Sequence, residues 1–332
     1  MPDIPLTLAC GDYDRTRALH EGSVRPEGVS LTCLRLPVEE IFFRMARFAE
    51  FDAAELSLSS YLLTLDAEAR GRFVAIPVFP SRSFRHNGIY VHVGSGIDKP
   101  EDLVGRTVGV AEYQLTAAVW IRGILAEHHG VPVDSVRYRT GGLHQPGRVE
   151  KIRLDLPESV DITSIPPGRT LSDMLERGEI DALYTPRVPR CFRDGAPTVR
   201  RLFETPRAVE AEYFRRTGVF PVMHTVVLRR EVYEAHPWVA MSLRKAFEEA
   251  RLDALHDIDD TAALRHMLPW LSEEVRHTRE LMGEDYWTYG LDDANTAAVE
   301  TLARYSHEQG LARRPFRAAE LFAPEALETV LV

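Results

Sequence analysis

Short apolar runs typical of β-strands alternate along this chain with polar turns and helix-like segments. The run "LTLACG" leads into "DYDRTRALHEG", "FDAAELSL" leads into "SSYLLTLDAEA", and "TVGVAEYQ" leads into "LTAAVWIRGILAEHHG". In the third segment apolar residues recur on one helical face, and Gly130 is placed to end the helix. This alternation predicts an α/β protein whose strands are mainly parallel. In open α/β sheets ligands bind beyond the carboxyl ends of the strands, so the turns that follow these strands are the expected places for chemistry.

Two further strand-like pieces, "GIYVHV" and "HTVVLRR", are far apart in the chain yet match in length and alternation. If they lie side by side, the chain leaves one lobe near residue 85 and returns to it near residue 228. We therefore expect a discontinuous first lobe of residues 1–85 and 228–332, a second lobe of residues 86–227, and a ligand cleft between them. From Glu231 onward the pattern is almost wholly helical.

The charge balance restricts the class of partner. The 332 residues include 50 acidic and 40 basic side chains, for a formal net charge of -10. This balance argues against a general nucleic-acid or anionic-membrane surface, and no apolar run approaches the ~20 residues that span a bilayer. Cationic clusters in such a chain are local features that suit a small anionic ligand.

Cysteine usage and missing motifs narrow the chemistry further. The three cysteines have no C-x-x-C spacing, so neither a disulfide framework nor a zinc site is indicated, and a reducing cytoplasm is the expected compartment. The chain contains no G-x-S-x-G elbow, P-loop or H-E-x-x-H motif, and no G-x-G-x-x-G follows a strand. The common hydrolase, nucleotide and zinc-protease classes therefore lose support. Homo-oligomerisation is left open.

Several long blocks resemble one known family. They are "LACGDYDRTRAL", "VEEIFFRM", "FDAAELSLSSYL", "AIPVFPSRSFRH", "EYQLTAAVWIRGIL", "IPPGRTLSDML", "GEIDALYTPR" and "FPVMHTVV". Together, from about Leu6 to about Leu327, they resemble the 4,5-dihydroxyphthalate decarboxylases, a family related to the type 2 periplasmic solute-binding proteins. The resemblance implies a two-lobed, Venus-flytrap-like α/β fold with a helical C-terminal region. It also implies decarboxylation of a hydroxylated aromatic dicarboxylate, most simply 4,5-dihydroxyphthalate to protocatechuate.

A substrate of that kind carries two adjacent carboxylates, which fixed cations and N–H donors would bind. Arginine suits the task because its planar fork grips a carboxylate at two points, and helix N-termini present free N–H groups. Each arginine could instead form a structural ion pair, and each hydroxyl residue could simply cap a helix. The candidate substrate-binding residues, with the first two preferred, are Arg82, Arg85, Arg15, Arg187, Ser59, Ser60 and Thr116.

Loss of CO2 from an aromatic ring is easiest after protonation of the carbon that bears the carboxylate, because the para hydroxyl can release its proton and form a quinoid. The ring is its own electron sink, so no organic cofactor is obligatory; a divalent ion bridging the vicinal hydroxyls is kept as an alternative. The protein must supply a general acid that is active near neutral pH. We expect His86, ahead of His224, to fill this role, with Glu112 and Tyr184 in reserve.

Two rival functions use the same residues. A non-catalytic solute-binding protein could capture a small carboxylate with the same arginines. The opening "MPDIPLTLACG" lacks the basic and long apolar regions of an export signal, which favours an enzyme over a transport receptor. A related enzyme acting on another hydroxylated aromatic acid is a third alternative that the sequence leaves open.

Overall fold

In the computed structural model, which describes residues 3–67 and 71–328, the strands form two separate sheets. Most strands are short, with three to seven residues. In chain order they are β1 (Ile4–Cys10), β2 (Val29–Arg35), β3 (Ala53–Ser57), β4 (Phe73–Ile76), β5 (Ile89–His92), β6 (Thr107–Val110), β7 (Arg137–Thr140), β8 (Ile162–Ser164), β9 (Ala182–Tyr184), β10 (Val199–Arg201) and β11 (His224–Arg229).

Helices follow most of the strands, as the alternation predicts. The helix predicted over "LTAAVWIRGILAEHHG" ends at Gly130, whose φ of 63° places it in the left-handed region that glycine tolerates best. The helices are α1 (Asp14–Glu21), α2 (Val38–Phe48), α3 (Leu58–Ala67), α4 (Thr116–His129), α5 (Leu171–Glu176), α6 (Arg190–Arg193), α7 (Pro206–Thr217), α8 (Arg230–Ala235), α9 (Trp238–Asp259), α10 (Leu271–Met282) and α11 (Asp293–Glu308). Among the described helices, none is long and apolar enough to cross a membrane.

The first sheet has the strand order β2-β1-β3-β11-β4. Strand β1 runs parallel to β2 and β3, and β11 runs antiparallel to β3 and β4. All five residues of β3 are buried, as expected for a central strand covered on both faces. The carboxyl ends of β1 and β3 and the amino end of β11 therefore lie at one edge of this sheet.

The second sheet has the order β10-β5-β9-β6-β7-β8. Strands β6, β7, β8 and β9 are parallel, whereas β5 pairs antiparallel with β9 and β10. Tyr90, Leu171, Leu175 and Leu183 belong to the apolar cluster that packs on this sheet. Both sheets are thus mainly parallel with antiparallel strands added, which is the mixed α/β class expected from the sequence.

The described residues divide into two compact units. The first contains residues 3–67, 71–82, 224–299 and 316–328, and the second contains residues 83–223 and 300–315. The sequence pattern placed the crossings near residues 85 and 228 and assigned 300–315 to the first lobe. The segment 300–315 lies in the second unit because Tyr305 packs edge-on against Trp120 of α4. The predicted ligand cleft stays a prediction.

One expectation about the crossing strands is wrong. The pieces "GIYVHV" and "HTVVLRR" become β5 and β11, which do not pair, because β5 lies in the second sheet and β11 in the first. Each of these strands lies just after a point where the chain passes from one unit to the other. Each then pairs antiparallel with strands of the unit that the chain has entered. Their similar alternation reflects similar burial in two different sheets.

Candidate functional site

A cluster of polar side chains lies at the edge of the first sheet where β1 and β3 end and β11 begins. In the antiparallel register, His224 pairs with Ser57 and Val226 pairs with Glu55. Residues directly opposite in such a pair project to the same face, and so do residues two apart on one strand. His224 and Glu55 are therefore diagonal neighbours on one face of the sheet.

Glu55 is a wholly buried carboxylate in the middle of β3, with 0% of its surface exposed. Its Oε1 lies 2.6 Å from Nδ1 of His224 and accepts a 2.9 Å hydrogen bond from the hydroxyl of Tyr13. Its Oε2 accepts a 2.8 Å bond from the backbone N–H of Gly11. Three partners thus compensate for the loss of hydration that burial of a carboxylate entails.

These contacts determine the ionisation of the cluster. Burial alone raises the pKa of Glu55, but the hydrogen bond and charge of His224, with the Gly11 and Tyr13 donors, bring that pKa below its usual value. Burial and the neighbouring Glu55 charge raise the pKa of Tyr13 well above its usual range. Glu55 is accordingly an anion at neutral pH, and Tyr13 is a neutral hydroxyl that donates to it.

His224 is accessible to a ligand, since 16% of its side chain is exposed. The edge of its ring meets Phe42 of α2, with the ring centroids 4.7 Å apart. Because Nδ1 faces Glu55, Nε2 is the nitrogen that remains for a ligand, and it makes no hydrogen bond within the described residues. The arrangement is suited to proton transfer through Nε2.

Arg15 extends this cluster from the first turn of α1. Its guanidinium carbon lies 4.2 Å from the Tyr13 ring centroid and 4.5 Å from that of Trp287, so the planar group is held between two aromatic rings. Its Nε donates to the carbonyl of Pro80 over 2.6 Å, and Nη1 pairs with Asp14 over 2.9 Å. A cation fixed in this way loses little freedom on binding an anion.

Gly11 is required for the placement of Tyr13. A Cβ added at Gly11 would lie 2.5 Å from Cζ of the Tyr13 ring, a distance that side-chain carbons do not tolerate. The ring therefore packs directly on the Gly11 backbone, which also carries the N–H that binds Glu55. The sequence "CGDY" thus encodes two of the three contacts of the buried carboxylate.

The predicted hydroxyl residues of this unit lie at the start of α3. Ser59 and Ser60 are both buried, and the Ser60 hydroxyl lies 3.2 Å from that of Ser57, the last residue of β3. Their position beyond the carboxyl end of a central strand is the one expected from the sequence. A role in substrate binding stays a prediction.

In the second unit, the candidate Glu112, two residues beyond the end of β6, is held in a buried ion cluster. Glu112 is 2% exposed, and Nζ of Lys151 lies 2.7 and 2.6 Å from its two carboxylate oxygens. Nε of Arg148 donates to Glu112 over 2.7 Å. Both oxygens of Glu112 are thus engaged by cations of the same unit, which favours a structural role for this carboxylate.

The other candidates of the second unit are dispersed. Thr116 is buried at the first residue of α4. Tyr184 is buried within β9, where burial raises its pKa well above the usual value. Arg187 is exposed in the turn after β9. These positions follow strands, as predicted, but no ligand-binding role is assigned to them by their contacts.

His86 has a different environment from the one its sequence position indicates. It begins a single turn of 3-10 helix, is 2% exposed, and its ring contacts Phe203 and Tyr213 at centroid distances of 5.5 and 5.2 Å. Burial, with the charges of His129 and His128, lowers the pKa of His86 to about 4. Its ring is neutral near pH 7, so the geometry favours His224 over His86 as the proton donor.

Arg82 and Arg85, the preferred arginines, lie in different units and are both more than nine-tenths buried. Nη2 of Arg82 donates to the side-chain oxygen of Asn295 and, over 3.2 Å, to the carbonyl of Thr288. Nε of Arg85 lies 3.1 Å from the sulfur of Met223. Burial lowers the pKa of each arginine to about 10. Their predicted role in binding a substrate carboxylate stays a prediction.

Sequence reasoning missed three members of the cluster, namely Glu55, Tyr13 and Trp287. The available signal for Glu55 was a lone charged residue inside the apolar run "FDAAELSL". For Tyr13 it was an aromatic residue directly after the first strand. Among the described residues, no three His, Cys, Asp or Glu side chains form a group that could hold a metal ion.

Comparison with known proteins gives close sequence relatives. The chain is 44% identical over 329 residues, 99% of each chain, to a 4,5-dihydroxyphthalate decarboxylase of Comamonas testosteroni. It is 44% identical over 215 residues to a protein of the same name from Pseudomonas putida, covering 65% of this chain and 83% of that one. No family model matches the chain.

Comparison with solved structures identifies the fold. The periplasmic aliphatic sulphonate binding protein SsuA from Escherichia coli matches with a TM-score of 0.55 over 98% of this chain and 99% of its own. The two sequences are 13% identical, so this similarity concerns the fold. The predicted fold class, a periplasmic-binding-protein-like protein with two α/β lobes, is confirmed.

Proposed function

The chain belongs to the 4,5-dihydroxyphthalate decarboxylase family, and from this premise we propose that it converts 4,5-dihydroxyphthalate to protocatechuate and CO2. The full-length identity to the Comamonas testosteroni enzyme carries the proposal. The His224–Glu55 pair supports it, because it supplies a proton-transfer group on a partly exposed edge. Cys10, Cys33 and Cys191 are free thiols, which fits the reducing cytoplasm that we propose as its compartment.

The reaction needs one proton at carbon. The hydroxyl para to the reacting carbon loses its proton, and that carbon takes a proton from the enzyme, which gives a dienone with the carboxylate on a tetrahedral carbon. The bond to the carboxylate then breaks, its electron pair restores the aromatic ring, and CO2 leaves a phenolate that is reprotonated. The net change is consumption of one proton and release of one CO2.

His224 is the proposed donor of that proton. In its charged form the ring carries hydrogen on both nitrogens, with Nδ1–H directed at Glu55 and Nε2–H available to the substrate. Transfer from Nε2 leaves a neutral imidazole, which then takes up a proton from solvent. The aromatic substrate itself accepts the electrons of the broken bond, so the proposal includes no organic cofactor.

In the decisive experiment, the purified protein is incubated with 4,5-dihydroxyphthalate in deuterated buffer, and the conversion of substrate to product is followed by proton NMR. We expect protocatechuate with one deuterium at the vacated carbon, in the presence or absence of a chelator. A second sample with other hydroxylated aromatic acids tests the substrate class. Binding of 4,5-dihydroxyphthalate without any product would instead identify a solute-binding protein, and loss of activity on chelation would establish the alternative with a divalent ion.

Arg15 is the proposed anchor for a substrate carboxylate, because it is rigidly held and adjoins Tyr13, which contacts Glu55. Arg15→Ala should weaken substrate binding by about 2 kcal/mol, or roughly 30-fold in Kd. Isothermal titration calorimetry measures this change with protocatechuate as the ligand, because the product keeps one carboxylate and is not consumed. Arg17→Ala, an exposed position on the same helix, is the matched control and should bind normally. Equal affinities of the two variants would remove Arg15 from the site.

A further inference from the structure

Both carboxylate oxygens of Glu55 have hydrogen-bond partners, but few of these partners can carry a positive charge. The backbone of Gly11 and the hydroxyl of Tyr13 are neutral donors, so His224 is the contacting group that can become cationic. A carboxylate with no exposed surface depends on these partners in place of water. The charge of Glu55 therefore acts on the histidine ring at 2.6 Å.

We infer that Glu55 is a positioning residue, whose carboxylate keeps a proton on Nδ1 of His224 so that the ring gains and loses its other proton at Nε2. The expected effect of Glu55 on kcat rests on the proposed decarboxylation. The position of the hydrogen on the His224 ring does not depend on that proposal. The role resembles that of any carboxylate that orients an imidazole by accepting its second N–H. It assigns a function to a charged residue buried inside an apolar strand.

The hydrogen-bond inventory makes this assignment specific. The Gly11 N–H can only donate, and the Tyr13 hydroxyl donates because its pKa is raised by burial and by Glu55. An ionised Glu55 can only accept, so the 2.6 Å contact requires hydrogen on Nδ1. The neutral ring then carries its hydrogen on Nδ1 and exposes the Nε2 lone pair.

The surrounding titratable groups leave this assignment intact. Those that contact or act on Glu55 are His224 on β11, Tyr13 before α1 and the Cys10 thiol on β1. Burial raises the pKa of Cys10 well above its usual value, so its thiol is neutral near pH 7. Phe42 of helix α2, which is uncharged, packs edge-on against the His224 ring.

Glu55→Gln reverses the hydrogen-bond pattern while keeping the shape of the side chain. The fixed Gly11 N–H selects the amide oxygen, which turns the amide NH2 toward Nδ1 of His224. Nδ1 must then accept, so the neutral ring moves its hydrogen to Nε2, and the cationic ring is disfavoured. We expect kcat to fall by at least ~10²-fold with little change in KM, because the donor is lost while the site remains.

The test reads the tautomer directly by long-range proton–nitrogen NMR of the 15N-labelled protein at alkaline pH. The His224 signals are those missing from the spectrum of His224→Gln. Hydrogen on Nδ1 in wild type and on Nε2 in Glu55→Gln supports the inference. Hydrogen on Nε2 in wild type, or an unchanged tautomer in Glu55→Gln, overturns it whether or not the protein decarboxylates anything.

Two further variants separate positioning from folding. Tyr13→Phe removes another hydrogen bond from the same carboxylate without altering its charge, so it should keep the wild-type tautomer and lose much less activity. Glu55→Asp retains the charge and should recover part of the rate lost in Glu55→Gln. Equal rate losses in Tyr13→Phe and Glu55→Gln with one common tautomer would reduce Glu55 to a structural role. If Glu55→Gln fails to fold, the wild-type spectrum alone decides.

Discussion

Replacement of His224 by glutamine is expected to lower kcat for protocatechuate formation by about 10²- to 10⁴-fold, the usual contribution of a positioned general acid. The affinity for substrate should change far less, because the ring is proposed to act on the proton and not on the carboxylates. Glutamine is similar in size and can still contact Glu55, so the site should keep its shape. The steady-state rate of protocatechuate formation gives kcat, and a separate titration with protocatechuate gives the affinity of the site.

The matched variant is His86→Gln, which changes the histidine that the sequence favoured. We expect it to retain most of the wild-type kcat, because the His86 ring is buried against Phe203 and Tyr213 and its pKa is lowered to about 4. A neutral ring in that position has no proton to deliver near pH 7. If His86→Gln loses activity and His224→Gln keeps it, the order predicted from the sequence is restored.

The helices and strands were predictable because their signals, the spacing of apolar residues and the glycines that end helices, lie within short segments of the sequence. The run "TVGVAEYQ" becomes β6 with its polar turn, the next apolar face becomes α4, and Gly130 ends that helix in the left-handed conformation. The helical pattern after Glu231 appears as α9, α10 and α11. In each case one short segment contains both the apolar spacing that identifies the element and the residues that end it.

Strand pairing was less predictable, because it depends on partners that are remote in the chain. Alternation made β5 and β11 look like a pair, although β5 joins β9 and β10 while β11 joins β3 and β4. An alternating pattern records which face of a strand is buried. It does not record which sheet buries it.

The site was predictable in its location but not in its chemistry. Polar residues at the ends of β1 and β3 were expected to matter, and the cluster around Glu55 lies there. The preferred residues His86, Arg82 and Arg85 were chosen for charge near a crossing, yet all three are buried. Charge in a loop is visible in a sequence, whereas desolvation, which lowers the pKa of each of these groups, depends on tertiary packing.

The second unit supplies a prediction about stability that also tests the reserve candidate Glu112. Its carboxylate compensates two cations, Lys151 and Arg148, and the Lys151 side chain is only 5% exposed. Buried pairs add little net stability relative to apolar packing, but removal of one partner leaves the other charge buried and uncompensated. A structural role for Glu112 therefore predicts a large loss of stability and a small loss of activity.

Glu112→Gln should reduce the free energy of unfolding by about 3–5 kcal/mol, because Lys151 loses its counter-charge while it stays buried. Urea unfolding followed by circular dichroism measures the change. Glu308→Gln removes one of the two ion-pair partners of a partly exposed arginine, Arg304, and should cost less than about 1 kcal/mol. The folded Glu112→Gln variant should keep a kcat within a few-fold of wild type, since the Glu112 carboxylate is engaged by Lys151 and Arg148 in a structural ion cluster. A kcat loss of orders of magnitude at unchanged stability would instead place Glu112 in the chemistry.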